Sequence, residues 1–220
     1  MPRSLRNSAL AHAVIFDIDG TLLDSFEDDA VLYVDAIRHV MGQVRIREAW
    51  EHYARVSDTG ILADICLDNA LAYDDALSDS IRDVFIGRLK ARMDVQGPYR
   101  EVPGALEFVS GLMARSDVQI AYATGGWRAS AELKLASAGF PLRNVPLASA
   151  NDHPDRQHIM RHALGQLRGP FASITYFGDG VWDRDATTAL GWRFVAVGPK
   201  LGGIPHFGAV TYDSALKGPK

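Results

Sequence analysis

The first marked pattern along the chain is an apolar run, Val14-Ile15-Phe16, that breaks on the polar turn Asp17-Ile18-Asp19-Gly20-Thr21. A short apolar run bounded by a turn signal predicts a buried strand that stops at Asp17. From Asp24 to about Asp94 the period changes. Segments 27–40, 46–56, 60–72 and 78–93 carry apolar residues at helical spacing, as in Val31, Val34 and Ile37, or Ile81, Val84, Phe85 and Leu89. This spacing predicts four or five helices and no strand, a compact helical unit inserted after the first strand.

Beyond Gly97-Pro98 helical and extended patterns alternate. Helices are predicted over 104–113, 129–138, 154–167 and 183–190, and strands over 118–124, 145–149, 174–177, 194–197 and 209–212. Six strands separated by long crossovers predict an α/β fold: a mainly parallel sheet with helices on both faces. The expected organisation is a core of residues 1–23 and 96–220 and an inserted all-helical domain of residues 24–95.

Composition narrows the function classes. Hydrophobic residues make up 47% and charged residues 23% of the 220 positions, which excludes a predominantly disordered chain. The formal charge of -4 argues against a nucleic-acid partner and a polybasic membrane anchor. Cys66 is the single cysteine and sits in an apolar run, so it reads as a buried helix residue, not a reactive thiol. The first ten residues lack an apolar signal core and no stretch reaches 18 apolar residues, so a cytoplasmic protein is expected.

The chemistry gathers where strands end. Asp17 and Asp19 follow the first strand, Thr124-Gly125-Gly126 the second, and Asp179, with Asp183 one helical turn on, a later one. Carboxylates converging on one sheet edge repel one another unless a cation neutralises them. Oxygen ligands of this kind suit Mg²⁺ beside phosphate, and the lack of a His/Cys cluster among them argues against zinc.

These residues carry a resemblance. Asp17-Ile18-Asp19-Gly20-Thr21-Leu22-Leu23-Asp24-Ser25 resembles the first motif of the haloacid dehalogenase-like hydrolase superfamily. Thr124, after Ile120-Ala121-Tyr122-Ala123, resembles the second, and Gly178-Asp179-Gly180-Val181-Trp182-Asp183 the fourth. The helical insertion is similar to the family's α-helical cap, and the resemblance runs from Ala11 to about Tyr212. It implies a Rossmann-like core and phosphoryl chemistry with Mg²⁺ as cofactor.

The third motif departs from the pattern. Family members usually carry a lysine there, whereas Ser149 to Ile159 contains none. Arg156 matches the position where some members carry arginine. Lys134 is the competitor, although its place in the middle of a predicted helix puts it away from the strand ends.

The resemblance implies these roles. Asp17 is the nucleophile that forms an aspartyl-phosphate, and Asp19 is the acid and base. Thr124, Gly125 and Arg156 hold the phosphoryl oxygens. The metal is held by Asp17, the Asp19 carbonyl and Asp179, with Asp183 acting through water or as a helix cap. Asp24 and Ser25 read as caps of the first inserted helix. In the segment 52–60, Arg55, Asp58 and Thr59 are candidates for reading the substrate.

Several further features have ordinary explanations. His153, His158 and His162 read as a solvated helix surface, Trp50 and Tyr53 as part of the inserted unit's core. Trp127 either covers the active-site mouth or the sheet edge. Asp19 argues against a dehalogenase, and the lack of a suitable cap lysine against Schiff-base chemistry. The expected function is a phosphomonoester hydrolase acting on a small metabolite such as phosphoglycolate or a sugar phosphate. A β-phosphoglucomutase-like transfer between sugar hydroxyls is the alternative, ahead of a phosphate-binding module with little turnover. Monomer and homodimer are both open.

Overall fold

A computed structural model describes residues 11–209. The strands are β1 (Ala11–Phe16), β2 (Val118–Ala123), β3 (Leu147–Ala148), β4 (Phe171–Gly178) and β5 (Arg193–Ala196). They form one parallel sheet in the order β3-β2-β1-β4-β5. The helices that follow β1 are α1 (Phe26–Met41), α2 (Asp58–Asp68) and α3 (Asp75–Gln96). After them come α4 (Ala105–Met113), α5 (Arg128–Ser137), α6 (Arg156–Gly165) and α7 (Val181–Leu190).

Alternation along β1 divides the sheet's two faces. Val14 and Phe16 pack with Val109 of α4 and Leu135 of α5, whereas Ile15 packs with Ile159 of α6 and Ala186 of α7. Both faces are therefore covered, which is why the strands read as continuous apolar runs instead of alternating ones. β1 is the central strand, flanked by β2 and β4. Their carboxyl ends put Asp17, Thr124 and Asp179 side by side at the edge where open α/β sheets bind ligands.

Helices α1, α2 and α3 share a second apolar core built on Tyr33, Ile37, Ile65, Cys66, Ile81, Phe85 and Leu89. Cys66 is buried in it. Trp127 and Ala150, from loops at the sheet's edge, enter this same core.

Two expectations about elements change. The helix predicted over 46–56 is instead an irregular segment with a 3₁₀ turn at Trp50–His52. Here Arg47 competes with the helical ladder. Its backbone N–H donates to the Tyr53 hydroxyl at 2.8 Å, and its guanidinium holds the His52 carbonyl and the Asp68 carboxylate. Trp50 meanwhile packs edge-on against Tyr33 and Tyr53 packs against Trp50, so tertiary contacts override the helical spacing. The inserted unit thus holds three α-helices, not four or five. The sheet has five strands among the described residues; Ala209 of the strand predicted at 209–212 ends a 3₁₀ turn, and the rest lies outside them.

Candidate active site

The turn after β1 is built around Gly20, whose φ of +80° falls in the left-handed region. A Cβ there would stand 2.4 Å from Asp179 Oδ2, so the two loops meet only because position 20 is glycine. This turn presents Asp17, 3% exposed, to the Arg156 guanidinium with Oδ1 3.2 Å from Nη1. Arg156 is the first residue of α6, a helix capped by Asp155, whose carboxylate accepts the His158 N–H. Its Nε lies 3.2 Å from Asp183 Oδ1, so one guanidinium bridges two carboxylates.

Asp183 is fully buried near the start of α7. It accepts from the Gly180 N–H at 3.2 Å and the Tyr176 hydroxyl at 3.3 Å, so it caps the helix and also faces the site. Asp179 accepts from Lys200 Nζ at 2.9 Å through Oδ2, while its buried Oδ1 has no partner. Thr124 Oγ1 accepts the Gly126 N–H at 3.0 Å, which leaves its hydroxyl proton available to a ligand.

Asp19 is held from two directions. Its Oδ1 receives Ser25 Oγ at 2.5 Å and Lys134 Nζ at 2.5 Å. Ser25 stands at the N-cap position of α1 but makes no cap bond; its hydroxyl serves Asp19 instead, contrary to the capping expectation. Lys134 is fully buried, with its ammonium between Asp19 and Asp29 of α1. Its mid-helix place misled because side chains on a helix lean toward the N-terminus, and the four-carbon stem then spans the remaining rise along α5.

Charge and burial oppose one another throughout. Burial, then the charge of Asp183, pushes the Asp17 carboxyl well above the ordinary carboxylate range despite Arg156. Burial raises Asp183 to about 6 and also raises Asp179, whose partner Lys200 opposes the shift. Burial and Asp19 raise Asp29, with Lys134 opposing. For Arg156 burial favours loss of the proton, but Asp183, Tyr176 and Asp17 outweigh it and hold the cation above its ordinary value.

The donor set fits a hard divalent cation. Oxygens of Asp17, Asp179 and Asp183 lie within 4.8 Å of one another on buried residues, and Asp179 Oδ1 lacks any partner. Oxygen-only ligands with uncompensated negative charge are what Mg²⁺ binds.

Above Asp17 and Asp19 lies a cavity of about 90 Å³ roofed by the inserted unit. Thr124, Gly125 and Arg156 from the sheet's edge and Asp29, Asp58, Tyr33 and Phe85 from the inserted helices line it. Gly125 permits close approach of the two parts, since a Cβ there would lie 2.8 Å from the Val56 carbonyl. Of the three candidates in the 52–60 segment, Asp58 alone lines this cavity. Its carboxylate accepts the Trp127 N–H at 2.8 Å, and burial pushes it up to about 7. Thr59 instead donates to the Ala150 carbonyl at 3.1 Å, and Arg55 pairs with Asp64. Their side chains serve the junction and the insertion itself.

Trp127 neither covers the mouth nor the sheet edge. It is buried against Tyr33 and Phe85, with ring centroids at 5.6 and 6.0 Å. His153 and His158 stack at 4.1 Å beside Asp155, and His162 faces Asp152, on exposed or half-buried positions. Sequence reasoning missed Asp29 and Lys200, which carried no local signal for the site, and passed over Trp182 inside the fourth motif. Trp182 lines the cavity and stacks on Phe26.

A family model of haloacid dehalogenase-like hydrolases matches residues 11–191. The chain belongs to that family. Membership in the haloacid dehalogenase-like hydrolases makes the protein an enzyme and leaves the non-catalytic binding module without support. No curated protein matches the chain. Among solved structures, a hydrolase from Pseudomonas syringae is similar at a TM-score of 0.68 and 18% identity, covering 91% of this chain and 88% of its own. CbbY from Rhodobacter sphaeroides, in complex with phosphate, has a TM-score of 0.63 at 17% identity over 86% of both chains. A β-phosphoglucomutase from Clostridium difficile has a TM-score of 0.67 at 15% identity, covering 86% of this chain and 85% of its own. At such identities the likeness is one of fold. No helix among the described residues is long and apolar enough to cross a membrane.

Proposed function

We propose that the protein is a Mg²⁺-dependent phosphomonoesterase of a small phosphorylated metabolite, working through an aspartyl-phosphate on Asp17, with residues 24–95 as its cap. The observation that carries this reading is Asp17 at the end of the central strand, its Oδ1 3.2 Å from the Arg156 guanidinium, with Asp19 two residues on. An Asp17 oxygen attacks phosphorus while the bond from phosphorus to the ester oxygen breaks. Arg156, Thr124 and the backbone N–H of Gly125 hold the phosphoryl oxygens and offset their charge.

Asp19 supplies the leaving oxygen with a proton. Lys134 and Ser25 both bind its Oδ1, so Oδ2 is the oxygen left to carry that proton. In the second half, water attacks phosphorus, its proton passes to Asp19, and the bond to Asp17 breaks to release phosphate. Asp17, Asp179 and Asp183 would hold Mg²⁺, with the Asp19 carbonyl as a further ligand. Bound there, the ion supplies positive charge that lets a phosphate dianion approach a carboxylate.

The test is hydrolysis of a phosphometabolite panel by the purified protein. Activity is expected with Mg²⁺, to vanish with EDTA, to return on adding Mg²⁺, and to be lost in Asp17→Asn. Full activity in that variant would sink the nucleophile assignment. A mutase would move the phosphoryl group to a sugar hydroxyl with little free phosphate, which the same assay distinguishes.

A further inference from the structure

The lining from the sheet's edge accounts for one phosphate, and the lining from the inserted helices is chemically different. Asp29 and Asp58 are the acidic side chains there, set among Tyr33, Phe85 and Ile61. Arg156 is the one Lys or Arg among the lining residues, and it is committed to Asp17 and Asp183 at the phosphate end. Lys134 lies beneath, fully buried, one ammonium shared by Asp19 and Asp29. That arrangement leaves one ammonium for three acidic groups, two of which, Asp29 and Asp58, burial holds toward the protonated form. Asp29 shows the deficit directly: one oxygen takes the Lys134 ammonium, while Oδ1 is buried without any partner. A buried acceptor left unpaired is costly, and a ligand that brings a donor removes the cost.

From this we infer that the substrate's second polar group is a hydrogen-bond donor without negative charge, an ammonium or a hydroxyl, received by Asp29 of α1 and Asp58 of α2. The inference rests on the phosphomonoesterase reading and makes it more specific. A second carboxylate or phosphate on the substrate would meet two acidic side chains and no uncommitted cation among the lining residues. Phosphoglycolate, whose far end is a carboxylate, is therefore disfavoured against compounds of equal length that end in a donor.

Four esters of nearly equal size isolate the far end: 2-aminoethyl phosphate, 2-hydroxyethyl phosphate, propyl phosphate and phosphoglycolate. Two readouts are taken in Mg²⁺: kcat/KM with the wild-type enzyme and calorimetric binding to Asp17→Asn. The two donor esters are expected to exceed phosphoglycolate at least tenfold in both, with propyl phosphate between. Asp29→Asn should shrink the binding ratio to about threefold or less, and Asp58→Asn serves the same purpose should Asp29→Asn not fold. Phosphoglycolate binding as well as or better than the donor esters would overturn the inference, even if p-nitrophenyl phosphate is hydrolysed. Donor esters that bind tenfold tighter while no ester turns over would uphold it and overturn the phosphomonoesterase reading instead. Failure of all four to bind overturns both.

Discussion

Arg156 and Lys134 are both buried cations that bridge two carboxylates, and their substitutions should nonetheless differ in kind. Arg156 touches Asp17 and faces the phosphoryl site, so Arg156→Ala is expected to lower kcat/KM by roughly 10²-fold or more, about 2.7 kcal/mol of transition-state stabilisation. Arg156→Lys should recover part of that loss, because a point charge replaces the fork without its geometry. Lys134 touches Asp19 and Asp29 but does not line the cavity. Lys134→Met should cost about 3–5 kcal/mol of stability, as expected when one partner of a buried ion pair is removed. Denaturant unfolding of both variants beside their kinetics checks this; a larger kcat/KM loss in the Lys134 variant would reverse the assignment. Asp17, Thr124 and Asp179 were legible in the sequence because each follows an apolar run that stops on a turn. The bridge from Lys134 to Asp19 and Asp29 was not, because those partners lie 115 and 105 residues from the lysine. No local pattern encodes such a meeting.

At the scale of elements, the sheet was readable and the junction with the insertion was not. Strands buried on both faces produce apolar runs, and glycine-rich turns mark where they end. The 46–56 segment shows the limit of that reading, since its helical spacing yields to Arg47 and to ring packing on Tyr33. Trp127 shows it again from the other side. This residue starts from the loop after β2 but ends in the apolar core of α1–α3, while its backbone N–H binds Asp58 and Ser57 Oγ reaches the Pro154 carbonyl. One ring thus anchors the insertion over the sheet's edge. Trp127→Ala is expected to destabilise the protein by about 3–5 kcal/mol, the range for emptying a buried aromatic site. Trp127→Phe should restore most of that, since the ring contacts with Tyr33 and Phe85 survive. A Tm for Trp127→Ala equal to that of the wild type would show that the anchor lies elsewhere.

For the molecule as a whole, the acidic groups gathered between sheet and insertion make stability depend on pH and on metal. Burial holds the Asp58 proton up to about pH 7, whereas the unfolded chain releases it near 3.8. Between those values the folded protein keeps a proton that the unfolded chain has lost. Stability therefore falls as pH rises from about 4 to about 7, and levels off above, where both states are ionised. The raised carboxyls of Asp17, Asp29 and Asp179 give slopes of the same sign. Mg²⁺ acts on the part that belongs to its ligands. A ligand that binds the folded state alone stabilises by about 2.7 kcal/mol at a hundred times its Kd, so the Tm gain from Mg²⁺ should grow with pH as the carboxyls ionise. Asp58 lies outside the metal's donor set, so its share of the slope should persist in saturating Mg²⁺. Asp58→Asn keeps an oxygen for the Trp127 N–H and removes the titration, and its Tm should fall less between pH 4 and pH 7 than that of the wild type. Melting curves of both proteins across this range, with and without Mg²⁺, separate the two contributions. Equal slopes for both proteins in Mg²⁺ would mean that Asp58 ionises in the fold as readily as in the unfolded chain.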